Sequence, residues 1–309
     1  MTWVVYLITY ASLATFAAAV ASRIYRLVSM PIHLRWELYP VAHEKEGLEH
    51  GGSFMEQTDY WTKPRQTSVV NMLSRMLPEM IFIKALWEHN RALWYRSFPF
   101  HFGLYMLIGT IALLVLGVFS EMVGLPVAAG SASVIGGLIY YLTIFTGAMG
   151  MILALIGTIG LLHRRLTDED LEGFTTSSHI FNLAFFLVAL SVAFLAFLFV
   201  DHSFAMARGY IRSLITFSMP PLGSWLVTLE VVLASVLIAY IPLTHMSHFF
   251  TKWFMYHEVL WDDEPNLQGS KMEAKLMEYL KYPVSWSAPH IAGDGKKTWV
   301  DVATEEIPK

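Results

Sequence analysis

The chain has 309 residues, 55% of them hydrophobic and only 15% charged, with a mean hydropathy of +0.48. A soluble domain carries roughly 25% charged residues, so charge has been withdrawn from long tracts. The net charge of −4 gives no basis for nucleic-acid binding, and with no cysteine the chain itself has no ligand for an iron–sulfur cluster and no disulfide.

Five uncharged apolar runs divide the sequence: 1–22, 97–120, 122–162, 173–200 and 231–251. About 20 apolar residues cross a bilayer, so each run is long enough, and the third can cross while leaving an external loop. The expected fold is an all-α integral membrane protein with five spans, I to V. Run 1–22 has no basic stretch ahead of it and is followed by Arg23 and Arg26, which reads as a span with a cytoplasmic stop rather than a signal peptide.

Residues 23–96 are too many for a plain loop. Pro31, Pro40, Pro64 and Pro78 interrupt them, and the first half is aromatic, charged and rich in turn residues. The second half, 69–94, is apolar at helical spacing with charges between, which predicts amphipathic helices lying on the membrane or under a partner. Residues 97–251 form the four-span core. Gly147, Gly150, Gly157 and Gly160 in span III permit close helix approach. The tail, 252–309, is soluble, contains Pro265, Pro283, Pro289 and Pro308 with several Trp and Tyr, and reads as a surface draped over another subunit.

Lysine and arginine set the orientation. With the N-terminus outside, nineteen of them fall on the cytoplasmic side and two, Arg208 and Arg212, on the outside. This predicts a multi-pass protein of a bacterial or archaeal cytoplasmic membrane with its C-terminus in the cytoplasm.

A histidine inside lipid is costly unless both ring nitrogens are satisfied. His101 opens span II and His248 closes span V, so the two match in depth near the inner face. Paired imidazoles on antiparallel membrane helices suit one metal, and the usual occupant is haem iron. Arg91, Arg96, Arg164, Arg165 and Lys252 stand at that level and are candidates to neutralise haem propionates. His163, His179 and His245 sit at the same interface, either as interfacial side chains or as reserve haem-site residues. His33, His43, His50, His89, His257 and His290 lie in cytoplasmic segments and read as hydrogen-bonded or solvated imidazoles.

Glu230 enters span V from the outside by roughly two turns, and an intramembrane carboxylate is a functional candidate. It could accept protons released on quinol oxidation; it also fits a hydrogen-bonded structural role. His202, beside Asp201 in the outer loop, is either solvated or part of the same quinone- and proton-handling site.

The stretches FHFGLYMLIG, LIGTIGLLHRRL followed by TTSSHIF, and IPLTHMSHFF resemble parts of the haem b membrane (gamma) subunit of respiratory nitrate reductase. The resemblance covers residues 98–252. It implies that His101 and His248 are axial ligands of the inner haem. That family carries a second haem, but at its remaining ligand positions this chain has Ile111 and Glu230. One haem b is therefore expected, and a second would have to be built from His163, His179 or His202. The long 23–96 insertion is similar to that of cytochrome b subunits in sulfate-reducer membrane redox complexes of the Tmc type and, more distantly, the dissimilatory-sulfite-reductase-linked type.

That resemblance implies a cytoplasmic iron–sulfur partner similar to heterodisulfide reductase and a periplasmic multihaem cytochrome c. The expected function is electron transfer between menaquinone or that cytochrome and the iron–sulfur subunit, as one subunit of an oxidoreductase complex in anaerobic respiration. A haem-free quinone-binding anchor is the first rival, and a non-redox anchor or transporter the second.

Overall fold

The computed structural model describes residues 2–29, 58–64, 67–248, 250–251, 268–287 and 294–305. Its described residues contain no strand, and Pro283 and Thr298 form an isolated antiparallel bridge. Ten α-helices follow in chain order among them: α1 (Thr2–Val28), α2 (Val69–Ile81), α3 (Lys84–His89), α4 (Arg91–Met122), α5 (Val134–Thr167), α6 (Ser177–Phe199), α7 (Ala205–Ile215), α8 (Trp225–Tyr240), α9 (Lys271–Tyr279) and α10 (Trp299–Thr304). Five helical stretches are long and apolar enough to cross a membrane: α1, α4, α5, α6, and α8 extended to Leu243. The chain is an all-α, multi-pass membrane protein.

Two spans begin earlier than the hydropathy runs suggest. Helix α4 starts at Arg91 because the Asn90 side chain accepts from the Leu93 N–H at 3.0 Å, capping the helix well before the last charge, Arg96. Helix α8 starts at Trp225, so Glu230 lies within its first two turns. Span V also ends sooner than its run. Regular helix stops at Tyr240, and two short 3₁₀ turns follow, Ile241–Leu243 and His245–Ser247. Pro242 has no N–H to continue the ladder. Thr244 then bonds its own surroundings, its hydroxyl donating to the Ile241 carbonyl at 3.0 Å and accepting from the Met246 N–H at 3.2 Å.

The chain divides into two compact units, 1–20 with 77–247 and 21–76 with 248–309. In the first, α4 and α5 meet backbone to backbone. A Cβ on Gly103 would strike the Ala154 backbone, and one on Gly157 would strike Phe100. Phe100, Ala154, Phe186 and Leu190 form one buried cluster, and Leu114, Met151 and Phe204 another. Phe204 comes from the α6–α7 connection, and its ring lies against Gly147, where any side chain would collide with it. Polar contacts tie α1 into this unit: Tyr6 donates to the Pro220 carbonyl at 3.0 Å and Tyr10 to the Leu214 carbonyl at 2.9 Å.

In the second unit the described part of the tail folds on itself. The Val284 N–H donates to the Lys297 carbonyl at 2.8 Å and the Trp299 N–H to the Tyr282 carbonyl at 3.2 Å. Val284 and Met272 are buried. Ser270 caps α9, and a capping box between Thr298 and Asp301 opens α10.

Candidate functional site

Because successive spans alternate in direction, the first unit has two ends. His101, His163, His179 and His245 collect at one, and Glu121, Asp201, Arg208 and Glu230 at the other.

At the histidine end, His101 Nδ1 lies 2.8 Å from the Ser97 carbonyl oxygen, one helical turn back, and 3.3 Å from the buried Ser97 hydroxyl. A carbonyl only accepts, so Nδ1 carries the proton and Nε2 is the lone-pair nitrogen. Metal-ligating histidines are held in this way, the second ring nitrogen donating to a backbone carbonyl that fixes tautomer and ring plane. The Phe100 ring packs edge-on against His101 at 5.3 Å.

His179 has the opposite proton arrangement. Its Nδ1 accepts from the Thr176 N–H at 3.3 Å and completes the capping box of α6, so the proton sits on Nε2. Its ring meets His245 edge-on at 5.4 Å. His163 is exposed near the end of α5, with Nδ1 3.5 Å from the Thr167 hydroxyl. The bundle therefore brings His179 and His245 together and employs His179 as a cap. His248 is exposed, follows the second 3₁₀ turn and falls in the second unit.

Three of the candidate propionate cations have local partners. The Arg91 guanidinium lies 4.6 Å over the Trp87 ring. Arg96 returns to the Ala92 carbonyl at 3.0 Å, and its stem passes the Cα of Gly160 on α5. Arg164 pairs with Asp168 at 2.9 Å, with Arg165 the next residue along α5. Lys252 lies outside the described residues. Among the described residues no three His, Cys, Asp or Glu side chains are grouped to hold a metal ion.

At the opposite end, Glu230 is partly buried, and Asp201 is its charged neighbour. Asp201 is itself buried, and its carboxylate accepts the Ala207 N–H at 2.9 Å, fixing the start of α7. His202 next to it is exposed, its ring 6.4 Å from that of Phe197. Asp201 thus links the two residues singled out from sequence, Glu230 by charge and His202 by chain.

Sequence reasoning passed over the strongest polar contact here. Arg208 is only 8% exposed. It donates from Nε to Glu121 at 2.8 Å and from Nη2 to the Val127 carbonyl at 3.0 Å. The one available signal was Glu121, the single charge separating the second and third uncharged runs. Thr9, Tyr210 and Ser235 form a buried hydroxyl cluster, with contacts of 2.7 and 2.8 Å. Burial pushes the Tyr210 phenol above its usual range, so it stays a neutral donor. Thr9 in turn donates to the Val5 carbonyl. The cluster ends at a backbone acceptor, which makes it a tie for α1 rather than a path for protons.

The chain matches no protein-family model, and no curated protein matches it.

Proposed function

We propose that this chain is the cytochrome b membrane subunit of a respiratory redox complex. It would carry electrons between the menaquinone pool, or a periplasmic cytochrome c, and a cytoplasmic iron–sulfur subunit resembling heterodisulfide reductase. The observation that supports the reading is the His101–Ser97 hydrogen bond, which holds a membrane-helix imidazole by a backbone carbonyl as metal-ligating histidines are held. Haem b, when bound, supplies a one-electron couple in a low-dielectric site.

The chain's own residues hold and shield that group. When bound, the group would be held by the imidazoles of His101 and His248, and Arg91, Arg96, Arg164, Arg165 and Lys252 would supply positive charge for its propionates. His163, His179 and His245 are the reserve donors should the chain hold two haems. At the other end Glu230 takes a proton from a quinol headgroup, and Asp201 and His202 stand between it and the loop surface. The N-terminus and this acidic end face outward, and the nineteen-cation side faces the cytoplasm. Quinone binding at the acidic end without haem is the second reading, favoured by the proximity of Glu230 and Asp201.

The test is a reduced-minus-oxidised visible spectrum of the purified chain with a haem-to-protein ratio. A low-spin b-type spectrum near one haem per chain supports the reading. A ratio near two brings in the reserve histidines, and a haem-free protein that still binds menaquinone leaves only the second reading.

A further inference from the structure

The segment leading into α4 has an apolar surface that does not pack into the bundle. Helix α2 divides around its axis into three sectors at about 100° per residue. Asn71, Ser74 and Glu79 share one side. Met76 and Met80 share a second, with Met76 buried. Val70, Leu73, Leu77 and Ile81 line the third and are exposed, Val70 at 75% and Leu77 at 44%. Water would favour no such third sector, and at 13 residues the helix is about 20 Å long, too short to cross.

The end of α2 is fixed to α4 by bonds that take the place of water. Tyr105 donates its hydroxyl to the Met80 carbonyl at 2.7 Å, and Trp94 its indole N–H to the Phe82 carbonyl at 2.7 Å. These are carbonyls that a helix end leaves without intrahelical partners. Tyr105 lies about 13 Å along α4 beyond Arg96, its last charge before Glu121. A carbonyl at that level needs a donor from the protein, because the bilayer supplies none. Tyr105 shares an exposed face of α4 with Ile108, which is 61% exposed. Above the joint, Trp94 stacks on Phe98 at 4.5 Å and meets Trp87 edge-on at 4.8 Å. Such rings, apolar with a polar tip, collect at the headgroup layer. Ile83, left-handed at φ 52°, makes the turn between α2 and α3.

We propose that α2 is a monotopic membrane anchor, lying at the boundary of headgroups and acyl chains with its C-terminal end beside α4 and with Val70, Leu73, Leu77 and Ile81 on the acyl chains. The occupant of this surface is the bilayer that α4 already crosses. A sector on protein, one on lipid and one toward water account for all three sides of the helix. The proposal is independent of haem binding.

The chain has no cysteine, so one nitroxide can be placed at a single introduced Cys in the full-length protein. In vesicles of phosphatidylethanolamine and phosphatidylglycerol, labels at Leu77→Cys and Ile81→Cys should collide more with oxygen than with a water-soluble nickel chelate. A label at Glu79→Cys should show the reverse. Preferential relaxation by nickel at Leu77 and Ile81 would overturn the proposal by placing that face in water. Protection from both reagents would overturn it by showing a protein cover. Should either substitution block insertion, Val70→Cys, remote from the Tyr105 joint, gives the same readout.

Discussion

Arg208 on α7 donates to Glu121 at the end of α4 across 87 residues of chain, at 2.8 Å, with the arginine almost wholly buried. A second arm of the same guanidinium holds the Val127 carbonyl, so one side chain closes the acidic end by joining the α4–α5 loop to the α6–α8 connection. Gly117 is small for this reason, since a Cβ there would come within 2.8 Å of Arg208 Cδ.

Breaking this pair from one side leaves a buried charge uncompensated. Glu121→Leu should destabilise the detergent-solubilised protein by about 2 kcal/mol, toward the lower end of such effects because Glu121 is a quarter exposed. The double variant Glu121→Leu/Arg208→Met should recover part of that loss. A thermal-unfolding cycle with strictly additive single-variant effects would show the two residues to be uncoupled.

His101 and His179 carry their ring protons on opposite nitrogens, Nδ1 in His101 and Nε2 in His179. His101→Ala and His248→Ala should each abolish a low-spin b-type spectrum while the chain still inserts, because bis-imidazole ligation needs both donors. His179→Ala should leave the spectrum intact and cost roughly 1 kcal/mol of stability, the value of a lost cap. An unchanged spectrum in the His248 variant sinks the ligand pair. Loss of haem in the His179 variant would instead move His179 from cap to ligand.

The five spans were legible in hydropathy because lipid requires long uncharged helices, and periodicity was enough to expose α2. The end of span V was not, since hydropathy continues through Pro242 while the hydrogen-bond ladder stops there. Helix α7 was hidden in a short loop of mixed polarity, and its start depends on the Asp201 carboxylate and on Phe204 taking the left-handed conformation at φ 55°. Arg208 was counted as a loop charge like Arg212, yet Arg208 is buried and Arg212 exposed. A residue-by-residue reading cannot separate two arginines one turn apart when the difference is a partner 87 positions away. The tail's backbone pairing around Val284 has no hydropathy signal to mark it.

In sequence, residues 21–76 and the tail after 248 hold many of the chain's charged residues and tryptophans. Tyr, Trp and Arg are enriched at interface cores. Deleting the chain after residue 262 should release the proposed iron–sulfur subunit during purification while the haem spectrum persists. Copurification of that subunit with the truncated chain would move the docking site elsewhere.

Glu230 is the last case, and its test separates chemistry from structure. It stands within two turns of the start of α8, beside Asp201, in an otherwise apolar helix. Glu230→Gln keeps the shape of the side chain and removes its capacity to accept a proton. Quinol-dependent haem reduction should therefore slow by about tenfold or more, within the range of a lost general base, while reduction by dithionite stays normal. His202→Gln, at an exposed position, should slow the same step less. A Glu230→Gln protein that matches the wild-type rate with a menaquinol analogue makes Glu230 structural. A wild type that shows no quinol-dependent reduction directs electron entry to a periplasmic cytochrome, and the acidic end then serves only to brace α7 and α8.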